Sequence, residues 1–374
     1  MNNQKLSLRT GQSAASDPRL AVQELHEAIA QPGLALVVFF CSSDYDLDVL
    51  AAEINGRFAG TPVIGCTTAG EIGPGGYRSG GLVGVGFAGA DFSAVVGRVD
   101  GLVGANDLAV RNEIWRLRRQ ISNANGESFA LLLLDGLSAC EESIAHACQL
   151  ALDNIPLVGG SAGDDQRFVS TCVFADGNFR SDRAVLAILT TRLPFKVFRS
   201  HHFVGTSEML VVTEAEGRIV REINGWPAAQ AYARAAGIGE ADLTPAHFAA
   251  APLVVRINGK DYVRSIQQRN ADDSLTLYCA IERGVVLRVA RSLDMLQIRR
   301  NLFDELRQSI GAPQLVLGAD CVHCQLEAQA IDGKSGVEQL YLANRVLGFS
   351  GYGEQYMGIH VNQTFSGVAI GEAA

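Results

Sequence analysis

Short, continuously apolar runs alternate with amphipathic stretches along this chain, and they do so three times on one plan. Leu34-Ala-Leu-Val-Val-Phe-Phe40, Phe129-Ala-Leu-Leu-Leu-Leu134 and Gln314-Leu-Val-Leu317 open the three copies. Each leads through a helical pattern, such as 47–58 or 144–152, to a glycine-centred turn holding an acid. The turns are Pro62-Val-Ile-Gly-Cys-Thr-Thr-Ala-Gly-Glu71, Pro156-Leu-Val-Gly-Gly-Ser-Ala-Gly-Asp164 and Val346-Leu-Gly-Phe-Ser-Gly-Tyr-Gly-Glu354. A second apolar run follows each, at 81–87, 184–189 and 365–371. A glycine turn recurring at one point of a repeated unit predicts a common rim where backbone approaches a ligand closely.

The opening strands are apolar on consecutive residues, so both of their faces should be covered, by helices on one side and a second sheet on the other. Ser43-Asp-Tyr-Asp46, Ser138-Ala-Cys-Glu141 and Ser335-Gly-Val-Glu338 each place a hydroxyl three residues before an acid. That spacing predicts a capping box at each helix start. Further β-type runs after the turns, such as Thr171-Cys-Val-Phe174, predict appended hairpins and a mixed sheet, not a purely parallel one. The fold class is therefore α/β (α+β), with mixed β-sheets layered with helices in repeated strand-helix-strand-hairpin units.

Between the second and third copies the rhythm changes. Gly217-Arg-Ile-Val-Arg-Glu-Ile-Asn-Gly225 alternates as a half-buried strand, and Pro227 to Gly237 reads as a helix with proline at its start and glycine at its end. Strands are expected at 253–257, 274–281 and 285–291. These signals predict an N-terminal tail at 1–20 and two domains, 21–225 and 226–374.

With 374 residues, 48% hydrophobic and 19% charged, the chain is long enough for more than one core. A net charge of -9 without a basic cluster argues against nucleic acid and anionic membrane surfaces as partners. No apolar run approaches the length of a membrane span, and the start lacks a signal-peptide core, so no membrane insertion and a cytoplasmic location are expected. Eight scattered cysteines fit a reducing compartment.

Catalytic motifs are missing. There is no nucleophile elbow, phosphate-binding loop or His-Glu-x-x-His helix. Glu71, Asp164 and Glu354 each belong to a repeated turn, where an acid serves as a turn or cap device more often than as a catalyst. The expectation is a protein that is not an enzyme.

Gly65-Cys-Thr-Thr-Ala-Gly-Glu-Ile72, Val158-Gly-Gly-Ser-Ala-Gly-Asp164, Glu222-Ile-Asn-Gly-Trp-Pro-Ala-Ala229 and Gly348-Phe-Ser-Gly-Tyr-Gly-Glu354 together resemble the FIST sensory domain, N and C parts in order. With Ser200-His-His-Phe-Val-Gly-Thr206 and Gly358-Ile-His-Val-Asn-Gln-Thr-Phe365, the chain is most similar to the NosP branch. That resemblance implies haem b as cofactor, nitric oxide as ligand, and regulation of a sensor histidine kinase in trans, in two-component control of biofilm formation. A homodimer is compatible with it.

Haem needs an apolar slot and an axial donor, commonly a neutral histidine. Of seven histidines, His26, His146 and His247 read as helical surface residues. His360 is the first choice for the iron, with Tyr352, Tyr356 and Met357 as a wall; the alternative is a histidine that pairs with Glu354 or backbone to order the loop. His202 or His201 is the second choice, with Arg199 two residues earlier to meet a propionate. Cys321-Val-His-Cys324 lacks the histidine placement of covalent haem attachment. It remains open as a zinc or iron-sulfur site, a redox dithiol, or two buried small residues. The competing function is a sensor of a small amino-acid-like metabolite, held by the glycine turns with Arg199 or Arg256 on its carboxylate.

Overall fold

The computed structural model describes residues 7–121, 126–330 and 334–372. In the first repeat β1 (Leu8–Ser13), α1 (Pro18–Ile29), β2 (Leu34–Ser42), α2 (Leu47–Arg57) and β3 (Val63–Thr68) lead to a hairpin, β4 (Glu71–Gly73) with β5 (Gly76–Arg78), and then β6 (Leu82–Ala88). The second follows the same order: β7 (Phe92–Asp100), α3 (Asp107–Arg118), β8 (Glu127–Leu134), α4 (Glu141–Leu152), β9 (Leu157–Ser161), the hairpin β10 (Val173–Ala175) with β11 (Asn178–Arg180), and β12 (Arg183–Thr191). The third begins with β13 (Phe195–Ser200) and is then interrupted.

The interruption is a nine-stranded module. It contains β14 (Phe203–Gly205), β15 (Leu210–Glu216), β16 (Ile219–Ile223), β17 (Trp226–Pro227), α5 (Ala228–Ala236), α6 (Pro245–Ala250), β18 (Leu253–Ile257), β19 (Lys260–Arg264), β20 (Ile266–Arg269), β21 (Leu275–Leu277) and β22 (Val286–Ser292). The repeat then resumes with α7 (Met295–Ile310), β23 (Leu315–Cys321), α8 (Val322–Ala330), α9 (Lys334–Ala343), β24 (Val346–Gly351), the hairpin β25 (Glu354–Tyr356) with β26 (Ile359–Val361), and β27 (Phe365–Ile370). The point between 225 and 226 lies in the turn joining β16 to β17 of the module.

Each repeat builds a sheet in which the two strands flanking its helix run parallel and the closing strand runs antiparallel. The hairpins, however, are exchanged. The first repeat's hairpin completes the third sheet through β24, the second's completes the first sheet through β3, and the third's completes the second sheet through β9. The result is a closed cycle of three six-stranded sheets.

Continuous apolarity in the opening strands follows from this arrangement. Leu36, Val38 and Phe40 of β2 point into one central core shared by all three sheets, as do Phe129, Leu131 and Leu133 of β8 and Leu315 and Leu317 of β23. The intervening Val37, Phe39 and Cys41 face α1 and α2, and Ala130, Leu132 and Leu134 face α3 and α4. Both faces are buried, so the period-two signal disappears. Covering a face with helices and the other with sheet is the architecture expected from the pattern.

The glycine turns do something other than present an open rim. They hydrogen-bond to one another around the cycle: Ala69 N to Ser350 O at 2.8 Å, Gly163 N to Thr67 O at 3.0 Å, and Tyr352 N to Ser161 O at 3.2 Å. A Cβ on Gly163 would come within 2.7 Å of Ala69 N. The backbone that these glycines let approach is that of the neighbouring repeat.

Two further expectations are corrected. The helix caps sit elsewhere: Asp46, not Ser43, caps α2 by accepting from Asp48 N and Val49 N, and α4 has no side-chain cap at all. Glu141 is instead drawn to Arg218 and Glu338 to Tyr77 N, because tertiary partners outbid a local box. The turn acids are also not equivalent. Glu71 and Glu354 open their hairpins, whereas Asp164 precedes an extra loop and accepts from the backbone amides of Phe168, Val169 and Ser170.

Candidate functional site

The threefold plan allows a residue-by-residue comparison of the hairpins. In each, one cross-strand pair lies on the outer face opposite a glycine of the receiving strand: Ile72 with Tyr77 across from Gly348, Phe174 with Phe179 across from Gly65, and Gln355 with His360 across from Gly159. Ile72 joins the apolar layer under α7 and α9, and Phe174 the layer under α1 and α2. Tyr77 donates to Asp320. Only the third hairpin puts an amide and an imidazole there, and both are shut in: Gln355 is 0% and His360 2% exposed.

Their hydrogen bonds are incomplete. Gln355 Nε2 donates to Ser161 Oγ at 2.9 Å and lies 3.3 Å from His360 Nδ1. The imidazole therefore accepts at Nδ1 and carries its proton on Nε2. His360 Nε2, Gln355 Oε1 and Asn362 Oδ1 have no protein partner, although Asn362 is also buried. Buried polar atoms in folded proteins are nearly always satisfied, by protein, water or ligand. Burial pushes the His360 imidazole down to about 4, against the pull of Glu142.

Charges close the site from two sides. The first turn of α4 brings Glu141 and Glu142, and the module brings Arg218 and Arg264. Arg218 Nη2 reaches Glu141 Oε2 at 2.5 Å and Glu142 Oε2 at 3.2 Å, while its Nε has no partner. Arg264 Nη1 donates to the His360 carbonyl at 3.3 Å. Burial pushes the Glu141 carboxyl up to about 7 even with Arg218 beside it.

The residues singled out from the sequence do not gather around His360. Tyr356 pairs with Ile359, one position out of phase with Gln355 and His360, so it faces the central core on the other side of the hairpin. Tyr352 stacks on Phe168 at 4.5 Å and donates to Asp164. Met357 sits in the hairpin turn, 43% exposed. Tyr356 does meet Arg199, whose guanidinium lies 4.1 Å from the Tyr262 ring centroid and 6.0 Å from that of Tyr356. His201 is half-buried in Arg199's field, its Nδ1 is without a partner, and burial pushes it down to about 4. His202 is engaged: its Nε2 meets Glu327 Oε2 at 2.7 Å.

Cys321 ends β23 and Cys324 lies in α8, both buried, and burial pushes both thiols up, away from thiolate character. Among the described residues no group of three or more His, Cys, Asp or Glu side chains is placed to hold a metal ion. Haem has a poor fit at His360, because the nitrogen that would bind iron lies toward Gly353 and Asn362, the other nitrogen is held by Gln355, and the ring sits in the field of Glu142 and Arg218. An apolar slot is absent from that set of neighbours. At His201 the donor set suits the group better: an unpartnered ring nitrogen, and in its field Arg199, itself set against the Tyr262 and Tyr356 rings, for a propionate.

Arg218, Gln355, Asn362, Glu141 and Glu142 escaped sequence reasoning. Aligning the three hairpins would have found the Gln355–His360 pair, since the other copies carry apolar or aromatic residues there. Arg218 has no such signal.

The fold and site define a class: a threefold repeated sheet-and-helix body with an inserted module closing over a buried polar site. The FIST N domain matches residues 35–226 and the FIST C domain residues 228–357, so the chain belongs to the FIST family of signal-sensing proteins, linked to small-ligand binding. It is also 35% identical over 78 residues to uncharacterized protein MJ1623 of Methanocaldococcus jannaschii, a match covering 21% of this chain and 15% of that protein. FIST domains are sensory domains. No helix among the described residues is long and apolar enough to cross a membrane.

Proposed function

We propose that this chain senses a small zwitterionic metabolite of the amino-acid type, bound where the third hairpin, α4 and the module meet. One observation carries the reading: two repeats fill this station with apolar or tyrosine side chains, and the third fills it with buried polar groups that lack partners. Gln355 Oε1 and Asn362 Oδ1 are acceptors suited to an ammonium, and His360 Nε2–H and Arg218 Nε–H are donors suited to a carboxylate. Glu142, 3.2 Å from Arg218, keeps that guanidinium beside the station. This differs from capture by the glycine turns with Arg199 or Arg256, since the turns are knitted together and Arg256 is paired with Asp261 at 2.7 Å.

Thermal unfolding with a panel of the twenty amino acids tests it. A true ligand at a hundredfold excess over its Kd adds about 2.7 kcal/mol of stability. Gln355→Ala should abolish that gain. No upward shift with any member sinks the proposal.

A second reading is favoured by His201. The NosP resemblance brings haem b, nitric oxide and a partner sensor histidine kinase, and the group would sit by His201 with Arg199 on a propionate. Bound haem would supply the iron that takes up nitric oxide; the chain's own part is to hold the imidazole neutral and to present Arg199, set against Tyr262 and Tyr356. A Soret band after haem loading that His201→Ala removes and His360→Ala spares is the expected result. Protein that stays colourless with excess haem overturns it. In either reading the kinase is the output, tested by its autophosphorylation rate with and without the sensor.

A further inference from the structure

The module of residues 203–292 is joined to the body at one place only, by a two-stranded stem. Phe203 pairs with Ser292, and Leu293 N donates to His202 O at 2.7 Å, so the entering and leaving chains run side by side. Glu327 of α8 grips both, His202 at 2.7 Å and Ser292 Oγ at 3.1 Å. The other two repeats cross the same point with short links, 14–17 and 101–106.

The module also has its own interior. Its two apolar clusters, one built around Tyr232, Leu253 and Leu287 and one around Phe203 and Val254, draw all their buried residues from 203–292. The clusters of the body draw none from that range. The packing between the two is mainly polar, with Tyr278 against His323 at 5.1 Å and Phe168 at 6.3 Å as its aromatic contacts. Arg218 spans to Glu141 and Glu142, Ala280 N donates to Glu142 Oε1 at 2.9 Å, Ser265 Oγ to Gln363 Oε1 at 2.8 Å, and Arg199 stacks on Tyr262.

A unit with a private core, a single stem and a polar seam is a candidate for rigid-body motion, because opening the seam exchanges protein hydrogen bonds for water and exposes little apolar surface. The unpartnered atoms of His360, Gln355 and Asn362 lie on the body side of that seam, and the unpartnered Arg218 Nε on the module side. We infer that the module is a clamp: it swings on its stem to admit the ligand to the His360 station and closes on it, with Arg218 dividing its guanidinium between the α4 acids and the ligand. Occupancy is thereby converted into module position, a change large enough for a partner protein to read. The inference rests on the ligand station proposed above, but the motion has a test of its own.

Amide hydrogen exchange of the full-length protein, wild type and Arg218→Ala, without any ligand, tests the hinge. Loss of the latch should raise exchange about tenfold or more in the seam, at 140–145, 262–266, 278–281 and 359–363, and leave β2, β8 and the module core at Val220 and Leu253 as protected as before. Glu141→Gln with Glu142→Gln removes the other half of the latch and should give the same map. Unchanged seam exchange in both variants overturns the clamp, as does a uniform rise across both cores, which would mean one cooperative unit. Repeating the wild-type measurement with the amino acid that gives the largest thermal shift should slow exchange at the seam. If no amino acid shifts the melting point yet Arg218→Ala opens the seam, the ligand reading fails and the clamp stands; a ligand-induced shift with an unresponsive seam does the reverse.

Discussion

The second repeat's hairpin buries Phe174 against Phe179 under α2, and the third repeat's hairpin buries Gln355 against His360 at the same station under α4. The first pair sits with Phe39, which is 5.2 Å from Phe174 and 5.9 Å from Phe179 between ring centroids, so the station is filled by aromatic edges. At the second pair two polar atoms, Gln355 Oε1 and His360 Nε2, go without protein partners, as does Asn362 Oδ1 two residues on. Leaving such a group unpaired costs about 1–3 kcal/mol. The covering helices differ in the same sense: α2 is capped by Asp46, and α4 presents an uncapped first turn carrying two acids toward Arg218. One backbone plan thus serves packing in one place and recognition in the other, and the difference lies in side chains alone.

The largest effect that would sharpen this contrast is in the apolar hairpin. Phe174→Ala should cost about 3–5 kcal/mol in a denaturant melt. His360→Ala should cost clearly less, and an equal loss would erase the distinction.

Acid is the next lever. His360 is neutral in the fold down to about pH 4, whereas an unfolded histidine takes up a proton near 6.5. The folded protein binds fewer protons in that window, so this residue's contribution is whole above about pH 6.5 and drains away as the pH falls toward 4. The difference in stability between wild type and His360→Gln should therefore change by roughly 2–3 kcal/mol between those limits. Glu141, held up at about 7, has the opposite slope and is common to both proteins, so it cancels in the difference. A flat difference would place His360 in contact with water.

Giving the third hairpin apolar side chains is the sharper test of purpose. Gln355→Met with His360→Leu keeps the volume and removes the unpaired atoms, so stability should rise by about 1–2 kcal/mol while any amino-acid response is lost. Destabilisation by the pair would show that the polar groups are structural. Smallest is the cap difference: Asp46→Ala should cost about 1 kcal/mol, and Cys140→Ala at the start of α4 less than about 0.5. Equal costs would mean that α4 is capped in solution.

Much of the fold was legible. The expected strands at 34–40, 129–134, 253–257 and 285–291 and the helix ending at Gly237 overlap the observed ones, because burial on both faces in the first two and a left-handed glycine at φ 69° after the helix leave local marks. The site was legible only in part. His360 stood out as the histidine following the third turn, but its intended wall of Tyr352, Tyr356 and Met357 is dispersed, since pleating sends neighbours on a strand to opposite faces.

By itself the sequence determined that there are three repeats, that their strands are covered on both sides, and that glycine recurs where backbone must come close. Those facts are written in short-range periodicity and in the absence of side chains. Only the tertiary structure decided that the hairpins are exchanged around the cycle, that the glycines meet one another, and that Arg218, some 140 residues before His360 in the chain, closes over the same station. Such contacts leave no mark within a window of residues, because they are fixed by the closing of sheets and the docking of an inserted module.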